Sequence, residues 1–201
     1  MSRTSKQRWT TTLFVVLFAS VASGQQLTIP EAVAKGSTGS IASKPSGPVP
    51  PLREIVRASD VIVTALVGGG QGHLSSDQLE VYTDYSLREV TVLYEKGSPK
   101  SLPEHPQTMT VTILGGTVMV NGVTFTHWEK ALPPLETGTR VLLMLQRDDN
   151  GFAITRKYYG VFDISTGTFQ PQLPREDFAQ DYRGRPIDEV INAIPGMLGD
   201  R

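Results

Sequence analysis

The imidazoles and carboxylates of this 201-residue chain are few and spread out. The histidines are His73, His105 and His127. No two lie within a few residues of each other, so no H-x-x-x-H or related metal-ligand spacing exists. His127 and Glu129 fall on one face of a strand-like run, where they could act as a base and its orienting carboxylate. The plain alternative is a histidine at a sheet rim. Glu80, Asp84 and Glu89 sit on another strand candidate. Their use as an acid–base pair depends on their separation in space, and a solvated strand face is the default. No serine stands in G-x-S-x-G, so a Ser/His/Asp triad would have to be assembled from distant segments.

Two further patterns invite chemistry and fall short of it. Gly68-Gly69-Gly70-Gln71-Gly72-His73 lacks the Lys-Ser/Thr ending of a phosphate loop. It also has His73 where the last glycine of a dinucleotide fingerprint belongs. A flexible strand connection is the expectation there. Asp148-Asp149-Asn150-Gly151 starts like a calcium loop, but Phe152 and Ile154 end the ligand series, so a hairpin turn is expected. The chain has no cysteine, which removes thiolate chemistry, Cys metal sites and disulfide staples. No catalytic, cofactor or metal residue is assigned from these patterns.

The aromatic residues offer more. Tyr82, Tyr85, Trp128, Tyr158 and Tyr159, with His127 beside Trp128, are many for a small domain. Exposed Tyr and Trp are good anchors for a partner. Packing in the core or at the ends of a barrel is the competing reading.

The elements that must position these residues read as short strands. Leu52, Ile55 and Val56 are spaced for one apolar helical face. A strand over Val61–Val67 follows, ending at the glycine cluster. A long strand from about Val81 to Tyr94 is rich in β-branched and aromatic residues. Thr108 to Ile113 alternates threonines with Met109, Val111 and Ile113. Asn121-Gly122, between Thr117–Val120 and Val123–Thr126, has the signature of a two-residue type I′ hairpin. Val141–Leu145 is an unbroken apolar run, the mark of a strand buried on both faces. Phe152–Thr155 and Tyr158–Ile164 supply two more strands. Pro171–Arg185 reads as polar and irregular. Ile187, Val190, Ile191 and Ile194 then predict a helix over about 186–194, with Pro186 at its first position.

The expected fold class is therefore all-β, a small antiparallel OB-like barrel with a short N-terminal helix and a C-terminal helix, with a sandwich as the alternative. The expected organisation is a signal peptide over 1–24 and a flexible Pro/Gly/Ser-rich linker over 25–51. A β-barrel domain over 52–170 follows, then a C-terminal extension with a short helix over 171–201. Linker composition buries too little apolar surface to repay the entropy of ordering.

Arg3, Lys6 and Arg8 precede the apolar run Leu13–Ala19, and small residues follow it up to Gly24. That order is a secretory signal, and the run is too short for a membrane span. An uncleaved anchor is the alternative. Cleavage would take those three of the 19 basic residues and leave 16 against 20 acidic ones, a formal charge of −4. A mildly acidic chain without a basic stripe is unsuited to nucleic acid and to anionic lipid surfaces. Export by the general secretory route to the periplasm or the medium is expected, with no membrane span after signal removal.

Four stretches carry a resemblance: Ser59–Val67, Val90–Gly97, Val111–Gly116 and Glu136–Leu145. They resemble a widespread group of exported bacterial domains of unknown function, over roughly residues 52–164. Those domains are similar in architecture to the netrin-like domain of tissue metalloprotease inhibitors, which implies an OB-type barrel. The inhibitors act through an N-terminal cysteine and disulfides, so their mechanism does not transfer to a chain without cysteine. The resemblance implies fold and no catalytic residue. The leading expectation is an exported non-enzymatic domain that binds a protein or polysaccharide partner and needs no cofactor. The alternative is an extracytoplasmic hydrolase with a spatially assembled active site. A third reading is a structural part of an envelope assembly, with residues 25–51 as a strand- or groove-filling arm.

Overall fold

The computed structural model describes residues 26–42, 48–97, 108–130, 132–149, 151–156, 158–173, 175 and 177–199. The expected signal peptide, His105 and the Trp128 side chain lie outside the described residues.

The chain is mostly β. Helix α1 (Ile29–Ala34) and strand β1 (Gly39–Ala42) precede helix α2 (Leu52–Ala58). Strands β2 (Val61–Leu74), β3 (Val81–Glu95) and β4 (Thr108–Leu114) form an antiparallel meander. Strands β5 (Gly116–Val120) and β6 (Val123–Glu129) form the expected hairpin. Asn121 and Gly122 both have positive φ, 51° and 78°, as a type I′ turn requires. Then come β7 (Arg140–Asp148), β8 (Gly151–Ile154), β9 (Val161–Asp163), β10 (Gln170–Pro171) and helix α3 (Ile187–Leu198).

The larger sheet runs β10-β9-β7-β2-β3-β4-β8, and β8 also pairs with β7. Five strands therefore form a circuit, β7-β2-β3-β4-β8. Its joint between β4 and β8 is a single parallel pair, Thr112 with Ala153, so the barrel is not cleanly closed. The smaller sheet is β1-β6-β5, with β1 parallel to β6.

Strand β7 is buried on both faces, as its unbroken apolar run predicts. Val141, Leu143 and Leu145 join Val61, Val63 and Val111 in the interior of the circuit. Leu142 and Met144 face the other way, into a layer with Ile55, Val56, Val190 and Ile194 from α2 and α3. Phe162 stacks on Phe169 at 4.3 Å and on Phe178 at 5.9 Å in that same layer.

The structure corrects three expectations. Residues 25–51 are not simply a linker: within them, α1 buries Ile29 and Val33 against Val81, Val120 and Phe125, and β1 adds to β6. Thr28 and Glu31 form a capping box, with Pro30 in the first turn, a local helix start that linker-like average composition conceals. The Thr28 amide and hydroxyl hold the exposed Glu31 carboxyl below its ordinary range.

The glycine cluster is not a connection between strands. β2 runs through it to Leu74, with Gly70 opposite Tyr85 and Gly72 opposite Thr83. A Cβ on Gly72 would stand 1.9 Å from the Thr117 carbonyl oxygen. Close approach of β5, not flexibility, explains that glycine.

Finally, the stretch over 171–185 is irregular but not merely polar, since Leu173 and Phe178 are fully buried. Isolated large residues in a turn-rich segment show no period to read.

Urea denaturation tests the role of Gly72. Gly72→Ala should destabilise by about 1–3 kcal/mol through overpacking. Gly69→Ala, which meets nothing within 4 Å, should stay within about 0.5 kcal/mol.

Candidate functional site

Two clusters gather the chemistry-bearing residues. The first is a groove of about 580 Å³ over the outer face of β3 and β4. His73, Asp77, Glu80, Tyr82, Asp84 and Asp148 line it. The register builds it. Alternation along β3 sends Val81, Thr83, Tyr85 and Leu87 inward and leaves Tyr82 and Asp84 on the outer face. The pairings Tyr82 with His73 and Asp84 with Thr112 then place partners beside them. The β2–β3 connection brings Asp77 to this face, and the end of β7 brings Asp148.

Within the groove the side chains are held in place. The Thr112 hydroxyl donates to Asp84 Oδ1 at 2.6 Å, and His73 Nε2 lies 3.3 Å from Asp84 Oδ2. The His73 and Tyr82 rings stack at 6.1 Å. Tyr82 Oη donates to Glu80 Oε2 at 2.6 Å. Desolvation, then the Glu80 hydrogen bond and charge, push the Tyr82 phenol up to about 12. Asp77 accepts from the Ser75 hydroxyl and the Leu79 amide, and these bonds hold its carboxyl below the ordinary range. The face therefore offers fixed acceptors beside a ring pair. Among the described residues no group of three His, Cys, Asp or Glu side chains could hold a metal ion.

The second cluster lies where β1 meets β6. Ser40 stands opposite His127 in the parallel register. Its Oγ is 2.7 Å from His127 Nδ1. On the other side of the ring, His127 Nε2 is 3.2 Å from Glu129 Oε1. Glu129 is buried, with its side chain only 2% exposed, and among the described residues its Oε2 has no partner within hydrogen-bond distance. The carboxyl borders a cavity of about 10 Å³ lined also by Tyr85, Gly115 and Gly116, room for about one water. Tyr158 is near enough for the Glu129 charge to add to the upward shift that burial gives its phenol.

The sequence-predicted residues thus divide. Tyr82 lines the groove, with His73, Glu80 and Asp84. Glu89 is elsewhere, in a surface ion pair with Arg140. Tyr85 and Tyr159 are buried and are not the exposed anchors that the aromatic reading requires. The Tyr85 hydroxyl accepts from the Leu135 amide, and Tyr159 packs edge-on against Phe178. Tyr158 is half-buried against both cores. The His127–Glu129 pairing is present, and its third member, Ser40, is absent from the sequence reading. Ser40 is 87 residues from His127 and lies in the segment read as linker, so no spacing signals it. A second cavity of about 580 Å³, between α2, α3 and residues 177–182, continues the aromatic layer and holds none of the predicted residues. No protein-family model matches the chain, and no curated protein matches it.

The groove's electrostatics give a titration test. Because the folded phenol of Tyr82 keeps its proton up to about 12 and an unfolded one loses it near about 10, the folded state binds more protons between those values. This contribution to stability is intact below about pH 10 and lost as pH rises toward 12. Glu80→Gln removes the charge and leaves the burial, so the Tyr82 phenol should titrate lower but still above about 10. The ultraviolet phenolate signal, corrected with Tyr82→Phe, would show it. An unchanged curve would discount Glu80 as a cause.

Proposed function

We propose that this chain is an exported binding module that takes a protein or polysaccharide partner into the groove over β3 and β4. The observation that carries the reading is the position and lining of that groove. The circuit β7-β2-β3-β4-β8, with its antiparallel meander and parallel β4–β8 joint, follows the strand path of an OB-type barrel. Such barrels bind along their second and third strands, between the loops after the first and fourth. In this chain those are β3 and β4 with the β2–β3 connection, and the groove also reaches Asp148 of β7 and Ala153 of β8, the strands on either side of the corresponding fourth loop. This supports the OB-type assignment.

The lining selects a class of partner. Carboxylates only accept hydrogen bonds, so the partner must present donors. Lysine or arginine side chains of a protein fit, as do the hydroxyl and amino groups of a polysaccharide. The His73–Tyr82 pair offers a flat apolar surface beside them. A nucleic acid would bring phosphates against Asp77, Glu80, Asp84 and Asp148. Binding of this kind needs neither metal nor cofactor. The basic, apolar and small-residue sequence of the first 24 residues supports export by the secretory route to the periplasm or the medium. No helix among the described residues is long and apolar enough to cross a membrane.

Cross-linking of the full chain in its native host, followed by mass spectrometry, tests the reading. We expect one dominant partner, captured at least about 10-fold less by Tyr82→Ala and by Asp84→Asn, consistent with the loss of an interface anchor. Equal capture by both variants would overturn the groove as the binding face.

A further inference from the structure

We propose that Ser40, His127 and Glu129 form a hydrolytic site for short-chain esters, separate from the groove. The roles follow from hydrogen-bond chemistry. In the tautomer this relay uses, His127 carries its proton on Nε2 and donates it to Glu129 Oε1. That tautomer leaves the lone pair on Nδ1, facing the Ser40 hydroxyl at 2.7 Å. The serine proton then has one place to go. The imidazole is used in the reverse sense to the commonest triads, with the serine on Nδ1, but the relay of nucleophile, base and orienting carboxylate is the same.

Burial grades the three groups as this chemistry needs. Ser40 is exposed, His127 is 14% exposed and Glu129 2% exposed at the side chain. Stability alone gives no reason to keep a carboxylate this deep with an unpartnered oxygen, because such a group costs free energy. Among the described residues its Oε1 lies within hydrogen-bond distance of His127, and the Tyr158 phenol interacts with the same carboxyl.

The backbone supplies an oxyanion donor. The Thr126 amide donates to the Thr38 carbonyl, and this fixes the phase of the parallel ladder. Ser40 therefore turns its own amide toward β6, and Ile41 turns its amide to the outer edge of β1. No described strand pairs with that edge. The amide following the nucleophile thus points to that open edge, where it can donate to an oxyanion.

The reaction balances without a cofactor. Ser40 Oγ attacks the ester carbonyl carbon as its proton passes to His127 Nδ1. The alkoxide leaves, taking that proton, and the acyl group stays on Ser40. Water then attacks the acyl carbon and gives a proton to Nδ1. The acid departs, and the proton returns to Ser40 Oγ. The cavity by Glu129 is too small for an acyl chain, and Ser40 lies in the open, so acetyl-sized groups suit the site.

The test uses the full mature chain, a fluorophosphonate probe and p-nitrophenyl acetate. We expect one adduct per chain, mapped to Ser40, and turnover that Ser40→Ala abolishes. His127→Gln should lower turnover by about 10² to 10⁴-fold, the usual worth of a general base. Glu129 is a positioning residue, so Glu129→Gln should lower kcat and leave KM unchanged. Ser40→Ala alters an exposed side chain, and circular dichroism would verify its fold. No adduct on Ser40, an adduct elsewhere, or hydrolysis unchanged in Ser40→Ala would each overturn the proposal. None of these outcomes bears on capture by the groove, which Tyr82→Ala and Asp84→Asn read separately.

Discussion

Strand β7 holds two cores apart and together. Its odd-numbered residues fill the interior of the strand circuit, and Leu142 and Met144 fill the layer under α2 and α3. Residues Val141 to Leu145 are all fully buried, and each such side chain contributes about 1.5–3 kcal/mol relative to exposure. In a chain with no cysteine, this shared strand has to do what disulfides do in many exported domains. Because β2 pairs with β7 on one side and β3 on the other, the position of β7 also sets where β3 presents its outer face. The groove is thus downstream of one apolar run.

That run was legible because it is local: five consecutive apolar residues between polar flanks have few other fates. The same holds for Asn121-Gly122, for the helical spacing of Leu52, Ile55 and Val56, and for Ile187 to Ile194. What was not legible depends on partners far away in the chain. Gly72 looks like a loop residue until the Thr117 carbonyl is seen against it. Phe169, Leu173 and Phe178 have no periodicity, and only the layer on α2 and α3 makes them core. In 25–51, abundant small and polar residues outweighed Ile29 and Val33, although Thr28 and Glu31 carry a helix start in plain sequence.

The candidate sites divide along the same line. Tyr82, Glu80 and Asp84 are close in sequence and share a strand, so their gathering is half visible from alternation. His73 and Asp148 join them only through register. That register passes through irregularities in β2 between Ile62 and Gly70, and a shift of one residue would turn Tyr82 and Asp84 inward. Buried carboxylates without partners would be a heavy cost, so the bulges and the groove are specified together. Tyr85 shows the converse. It has the same residue type as Tyr82, three positions along, yet odd parity on the strand makes it core.

The Ser40 site depends on the part of the chain with the least surface to hold it. Strand β1 is four residues long and, among the described residues, pairs on one side only. A short parallel edge strand has little stability of its own, so its register must come from what flanks it. Upstream, α1 docks Ile29 and Val33 on the β5–β6 hairpin, and the Ile29 amide donates to the Gln78 carbonyl. Only the few residues from the end of α1 to β1 separate this anchor from Ser40, which limits how far the hydroxyl can drift from His127. Gly39 tightens the fit, since a Cβ there would stand 2.7 Å from the Thr126 carbonyl oxygen. The hydroxyl, the imidazole and the carboxylate therefore meet because an apolar helix of six residues is pinned to the hairpin that carries the other two. Packing at α1, with no contact to substrate, sets the geometry of the reacting atoms.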